Sequence, residues 1–174
     1  MAGRGPRCTV STGNGAYVNG IAVDPKGSLI VPLGGPESIA VYRGPNMCGP
    51  EGGSFSDPYG QPSDAASMNA ITGTIAVANI VGQGSSAGNI AICSLKAGCT
   101  KELTNPNVVG YAGGVAMAGN GDCWLTSDRF GSYYIYPPAM TYWKGCTGSG
   151  EAVTGYQNKG YGSISIDSHG YLVL

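Results

Sequence analysis

GIAVDPKGSLIV, residues Gly20 to Val31, is the stretch whose reading decides the fold. Ile21 and Val23 alternate with small or polar neighbours, a Pro25-Lys26-Gly27 turn follows, and the apolar run Leu29-Ile30-Val31 comes at once. Successive strand side chains point to opposite faces, and glycine accepts the left-handed backbone of a tight turn, so this pattern predicts a β-hairpin. The unit returns as GVAMAGNGDCWL over residues 114–125 and as SISIDSHGYLVL over residues 163–174, with a fainter copy, SMNAITGTIAV, over residues 67–77. The turn glycines Gly27, Gly73, Gly121 and Gly170 lie 46 to 49 residues apart.

A period of 40 to 50 residues with about four strands per unit is that of a propeller blade. The rest of each unit agrees. A third strand is expected at Ser38–Tyr42, Asn89–Cys93 and Met140–Trp143, and a weaker fourth begins near Cys48, Cys99 and Cys146. The segment Ser63–Thr72 lacks Gly and Pro and opens with capping residues, which suits a short helix. Its place in the repeat makes it an innermost strand, and that is the expectation.

The fold class expected is all-β, a β-propeller of four-stranded antiparallel blades, with about three and a half blades in this chain. The blades are placed at about 20–60, 61–107 and 108–158, with a split blade formed by 159–174 and 1–19. Cys8-Thr9-Val10-Ser11-Thr12 matches the start of a fourth strand at Cys99-Thr100, which makes residues 7–13 an outermost strand. Three and a half blades do not close a ring, and open sheet edges invite pairing. Two completions are open: a further segment of a longer propeller, or a second copy of this chain, giving a ring of about seven blades.

Composition narrows the class. Charged residues are 11% of the chain, 31 of 174 residues are Gly and 42% are hydrophobic. That is too apolar for disorder, and the glycines keep no three-residue period, which excludes collagen. Net charge is −1 with scattered bases, so no basic stripe is present to neutralise a run of phosphates and nucleic acid is not the expected partner. No apolar run approaches the ~20 residues of a membrane span. The opening MAGRGPRCTV has no apolar h-region. Six cysteines nevertheless point to an oxidising compartment, extracellular, periplasmic or at the cell surface.

The cysteines are the strongest chemical constellation. In an antiparallel blade, the start of the second strand lies at the end where the third finishes and the fourth begins. Cys93 and Cys99 face each other across one such junction, and Cys123 and Cys146 across another, so Cys93–Cys99 and Cys123–Cys146 are the expected disulfides. Loop entropy gives them roughly 2.4 and 3.5 kcal/mol. Zinc is disfavoured, since no Cys-x-x-Cys pair exists and the single His lies far along the chain. Cys8 and Cys48 have no partner within their own units, and both free thiols and a bond between them stay open.

The units Ile21-Ala-Val-Asp-Pro-Lys-Gly-Ser-Leu-Ile-Val31 and Ile164-Ser-Ile-Asp-Ser-His-Gly-Tyr-Leu-Val173 resemble those of the NHL-repeat and SMP-30-like β-propellers. With Cys-Thr after the third strand, the chain looks closest to exported bacterial propellers. The resemblance covers most of the chain and implies a fold; propellers of this kind serve as scaffolds, sugar binders, lactonases and lyases.

Function therefore rests on sites. Asp24 and Asp167 end equivalent inner strands, and Asn69 is the inner-strand amide. These three residues are the metal-ligand candidates for a divalent cation such as Ca2+ near the channel. The competing reading is that an Asp-x-x-Gly carboxylate accepts hydrogen bonds from its own turn. The lactonases implied by the resemblance need a Glu on an inner strand, and none is found there. His169 sits in a turn and reads as solvated. The richest ligand candidate is the stretch Thr126 to Ala139, on the face where propellers usually bind. There Asp128, Arg129, Tyr133, Tyr134 and Tyr136 offer aromatic platforms and hydrogen bonds to a carbohydrate or peptide. Their rival role is packing between blades, the role expected of Trp124 and Trp143. No Gly-x-Ser-x-Gly elbow, Walker loop or His-Glu-x-x-His occurs. The expected function is an exported or cell-surface ligand-binding or scaffolding module without catalysis or cofactor. The alternative is a metal-dependent SMP-30-like lactonase, hydrolase or lyase with its site in the central channel.

Overall fold

The computed structural model of the chain describes residue 18 and residues 20–34, 39–43, 51–60, 63–108, 110–128, 139–155 and 163–174. Among these residues fourteen strands follow in order. They are β1 (Ala22–Val23), β2 (Leu29–Pro32), β3 (Ile39–Tyr42), β4 (Glu51–Phe55), β5 (Ser63–Met68), β6 (Ile75–Asn79), β7 (Asn89–Ser94), β8 (Gly98–Leu103), β9 (Tyr111–Met117), β10 (Cys123–Asp128), β11 (Ala139–Trp143), β12 (Glu151–Ala152), β13 (Ser165–Ile166) and β14 (Leu172–Val173).

They form three four-stranded antiparallel sheets in plain chain order, β1 to β4, β5 to β8 and β9 to β12, and a two-stranded sheet of β13 and β14. Each four-stranded sheet is one blade. The fold is the expected β-propeller with about three and a half blades. Ser63–Met68 is a strand, as its place in the repeat required, and no helix forms over 63–72. The fourth strand of blade three begins later than expected. Cys146 lies in a single 3-10 turn, Lys144–Cys146, ahead of β12.

The hairpins pair as the sequence dictates, Val23 opposite Leu29, Met68 opposite Ile75, Cys123 opposite Met117 and Ile166 opposite Leu172. In all four turns the glycine adopts a left-handed φ, +83° at Gly27, +73° at Gly73, +93° at Gly121 and +85° at Gly170. An L side chain would be strained there, which is why the repeat is legible from its glycines.

The core lies between blades. Every residue of β6 is buried, and its alternate side chains serve two interfaces. Ile75 and Val77 pack with Ala22, Ile30 and Ile39 of blade one. Ala76 and Ala78 pack with Val115, Leu125 and Trp143 of blade three. A strand buried on both faces must be apolar at consecutive positions, which explains the unbroken run Ile75-Ala76-Val77-Ala78. Trp143 is fully buried between blades two and three, as expected. Trp124 lies on the opposite face of blade three, half-buried, its ring tilted by 40° against its cross-strand neighbour Tyr142 with ring centroids 5.2 Å apart. Among the described residues no helix is long and apolar enough to cross a membrane.

Candidate functional site

Topology sorts the connections onto two ends. First-to-second and third-to-fourth strand connections share one end, the hairpin-turn face; second-to-third connections and the links between blades share the other, the loop-bearing face.

On the hairpin-turn face, Asp24 Oδ1 accepts the amides of Lys26 (2.9 Å) and Ser28 (2.6 Å). Asp167 Oδ1 accepts those of His169 (2.9 Å) and Tyr171 (2.8 Å). Asn69 Oδ1 accepts those of Ile71 (2.9 Å) and Thr72 (3.1 Å). Each of these side chains closes its own turn, as Asx residues do. Asn69 does more. Its Nδ2 donates to the carbonyls of Ala118 (3.0 Å) and Gly119 (3.1 Å) in the corresponding turn of blade three, so this buried amide ties two blades together. Blade three has Ala118 at this position; its turn is closed by the backbone bonds Ala118 N to Asp122 O (2.8 Å) and Gly121 N to Ala118 O (2.9 Å) and by Asn120 Oδ1, which accepts the Asp122 amide (3.0 Å). The three metal-ligand candidates therefore stand in three separate turns. Among the described residues no three His, Cys, Asp or Glu side chains gather closely enough to hold a metal ion. His169 is exposed, its Nδ1 3.7 Å from Asp167 Oδ2.

Between the inner strands lies a space of about 390 Å3 lined by Ile21, Ala65, Ser67, Gly114, Ile164 and Ser165, among other apolar and small residues. Ser67 Oγ accepts the amide of Met117 (3.0 Å) across it. The described lining of this channel thus holds hydroxyls and apolar groups, and Asp24, Asn69 and Asp167 lie outside it.

The two expected disulfides are present, Cys93–Cys99 and Cys123–Cys146, with Cα atoms 3.8 Å and 5.2 Å apart. Both staple the hairpin-turn face. Cys8 and Cys48 lie outside the described residues. Beside the second staple, Asp122 accepts the Gly145 amide (2.7 Å) and the Tyr142 hydroxyl (2.9 Å). The Gly145 amide is the chief reason its carboxyl is held below the usual range, and the hydrogen bond to Asp122 is the chief reason the Tyr142 phenol is held above its own.

The loop-bearing face carries a polar cluster that the sequence reading did not single out. Asp57, in the link between blades one and two, is buried. Its Oδ2 accepts Asn79 Nδ2 (2.6 Å) and its Oδ1 accepts the Tyr59 amide (2.8 Å). Asn79 also donates to Asn89 Oδ1 (3.0 Å), and Asn89 donates to Tyr59 O (2.8 Å) and Glu102 Oε2 (3.0 Å). Burial pushes the Asp57 carboxyl above its ordinary value, against the hydrogen bonds from Asn79 and Tyr59 that pull it down. Asn79 and Asn89 are the last residue of β6 and the first of β7, each followed by Ile in the sequence, and that symmetric pair of Asn-Ile steps was the available signal.

Asp128 was expected in the insertion between the second and third strands, Thr126 to Ala139. It is instead the last residue of β10, paired with Tyr111, and only 2% exposed. Its buried Oδ1 has no hydrogen-bond partner among the described residues. Strand β10 runs on because Thr126 braces it, its Oγ1 accepting the Gly114 amide (3.0 Å). Arg129, Tyr133, Tyr134 and Tyr136 lie outside the described residues.

No protein-family model matches the chain, and no curated protein matches it in sequence. Solved structures do match in fold. Hydrazine synthase of Kuenenia stuttgartiensis is similar over 95% of this chain and 43% of its own, with 12% identity and a TM-score of 0.63. Virginiamycin B lyase of Staphylococcus aureus is similar over 91% of this chain and 47% of its own, with 18% identity and a TM-score of 0.60. The protein U3-55K is similar over 88% and 43%, with 12% identity and a TM-score of 0.61. The chain spans less than half the length of each of these three. At such identities the likeness concerns fold, and the fold it supports is a β-propeller.

Proposed function

We propose that this chain is a ligand-binding module built on a propeller scaffold, exported or at the cell surface, that takes a carbohydrate or peptide on its loop-bearing face without catalysis. The observation that carries the reading is Asp128, a carboxylate buried at the mouth of the second-to-third strand connection with one oxygen unpartnered among the described residues. A buried acceptor without a donor is costly, and a ligand hydroxyl or amide supplies what it lacks. Tyr133, Tyr134 and Tyr136 follow within eight residues and supply aromatic surface, with Arg129 as a further donor. The turn-closing roles of Asp24, Asn69 and Asp167 support this reading over the metal-dependent one. The two disulfides fit an oxidising surrounding. A further segment or a second copy of the chain completes the ring.

The test is binding to immobilised panels of oligosaccharides and short peptides, compared with Asp128→Asn and with the double variant Tyr133→Ala, Tyr136→Ala. Saturable binding by wild type, weakened about tenfold or more in both variants, is the expected result. Binding that ignores both variants overturns the reading, as does the absence of saturable binding. Calcium-dependent hydrolysis of a sugar lactone overturns it in favour of the metal-dependent alternative.

A further inference from the structure

A second site lies on the opposite, hairpin-turn face. Where blades one and two meet there, a cleft of about 780 Å3 is lined by Lys26 of the β1–β2 turn, Arg43 at the end of β3 and Lys96 of the β7–β8 turn. These are three of the nine basic residues of a chain whose net charge is −1, so the remaining side chains are net negative. Three like charges around one cleft repel unless a counter-charge sits among them. Among the described residues none of the three is ion-paired; the one ion pair there is His169 with Asp167. Asp24, the acid in the lining, offsets one of the three charges and has one oxygen engaged by two turn amides, so the lining keeps an excess of two positive charges.

The remaining lining matches the same need. Ser94 Oγ already accepts the Ala97 amide (3.1 Å), which leaves its proton to donate. Met68, Ile71 and Leu95 form an apolar floor, with Ile71 81% exposed. The stem of Arg43 lies across Gly52 of β4, where an added Cβ would sit 2.7 Å from its Cγ and Cδ.

We infer that this inter-blade cleft binds a small organic oxyanion, a phosphate, sulfate or carboxylate group carried on an apolar or ring-shaped body. Lys26, Arg43 and Lys96 take the anion, and the Met68, Ile71 and Leu95 floor takes the body. The site is independent of the loop-bearing face, so either can fail without the other.

Calorimetric titration with phenyl phosphate, benzoate and neutral benzyl alcohol tests it. Phenyl phosphate or benzoate should bind saturably and more weakly as NaCl is raised, and the tighter of the two names the head group. The exposed pair Arg43→Glu, Lys96→Glu should weaken that binding about tenfold or more. Gly52→Val, which displaces the Arg43 stem without changing charge, should weaken it about threefold. Lys144→Glu, on the same face but outside the cleft, should leave it unchanged, with circular dichroism verifying that every variant is folded. The inference is overturned if neither anion saturates, if Lys144→Glu weakens binding as much as the cleft pair, or if benzyl alcohol binds as tightly as the anions.

Discussion

The two ends of this propeller are held by different chemistry. The hairpin-turn face is secured by covalent staples and local turns: two disulfides, and side chains that bond to amides two to four residues away. The loop-bearing face is secured by Asp57, Asn79, Asn89 and Glu102, drawn from a link and three strands and bonded across 10 to 22 residues. Local bonds survive small shifts of the blades, whereas a buried network fails as a unit when one member is lost. The difference shows where the structure tolerates change. The turns repeat with variation, Asp, Asn, Ala and Asp in four copies, while the network occurs once among the described residues.

The sharpest way to break the comparison is Asn79→Ala. It removes the donor to the Asp57 carboxylate and to Asn89 Oδ1 and leaves both acceptors buried, at an expected cost of about 4 kcal/mol. Urea unfolding should show it as a lower midpoint at an unchanged slope. A loss under about 1 kcal/mol would mean that water replaces the amide and that the network is not a unit. Next comes the staple on the other face. Cys123→Ser with Cys146→Ser should cost about 3 kcal/mol, and Cys93→Ser with Cys99→Ser about 2, because the second loop is shorter. Equal losses from the two pairs would contradict a loop-closure origin.

The contrast also explains what could be read from the chain alone. Hairpins, turn glycines and both disulfides follow from patterns within a few residues or from the fixed up-and-down order of a blade, so residues 20–31 carried the fold. Asp57 and Asn79 carry no such mark, because polar residues at strand ends read as ordinary turn chemistry until the link folds back onto the blade. Lys26, Arg43 and Lys96 are scattered in sequence and meet only where two blades pack. Asp128 was recognised as a binding candidate for its company of tyrosines, yet its burial depends on β10 extending past Thr126, which periodicity did not show.

Asn69 sharpens the comparison at the level of one atom. Both Asp and Asn can accept turn amides through Oδ1, but only Asn can donate to the carbonyls of Ala118 and Gly119. Asn69→Asp should therefore cost about 2 kcal/mol by setting a carboxylate against two carbonyl oxygens. The reciprocal Asp24→Asn, which keeps an Oδ1 acceptor in its own turn, should cost less than about 1 kcal/mol. If the two costs were equal, Asn69 would be a turn residue only and its amide would add nothing to the joint between blades.

The smallest effect is a difference in pH dependence between the faces. The Asp57 carboxyl is raised by burial, so its folded form favours the proton. Its contribution to stability is complete below the unfolded value of about 3.9 and is lost as pH rises through the higher folded value. Asp122 is lowered, chiefly by the Gly145 amide, so its contribution is complete above about 3.9 and is lost as pH falls through the lower folded value. Asp57→Asn forfeits one of the two hydrogen bonds but also removes the cost of ionising a buried acid. Its deficit against wild type should therefore shrink as pH rises from 4 toward 7. Asp122→Asn should do the reverse, its deficit shrinking as pH falls below about 4. Unfolding midpoints for the two variants across that range check both signs. Parallel profiles would show that the two carboxylates feel the same surroundings, and the chemical distinction between the faces would then reduce to their disulfides.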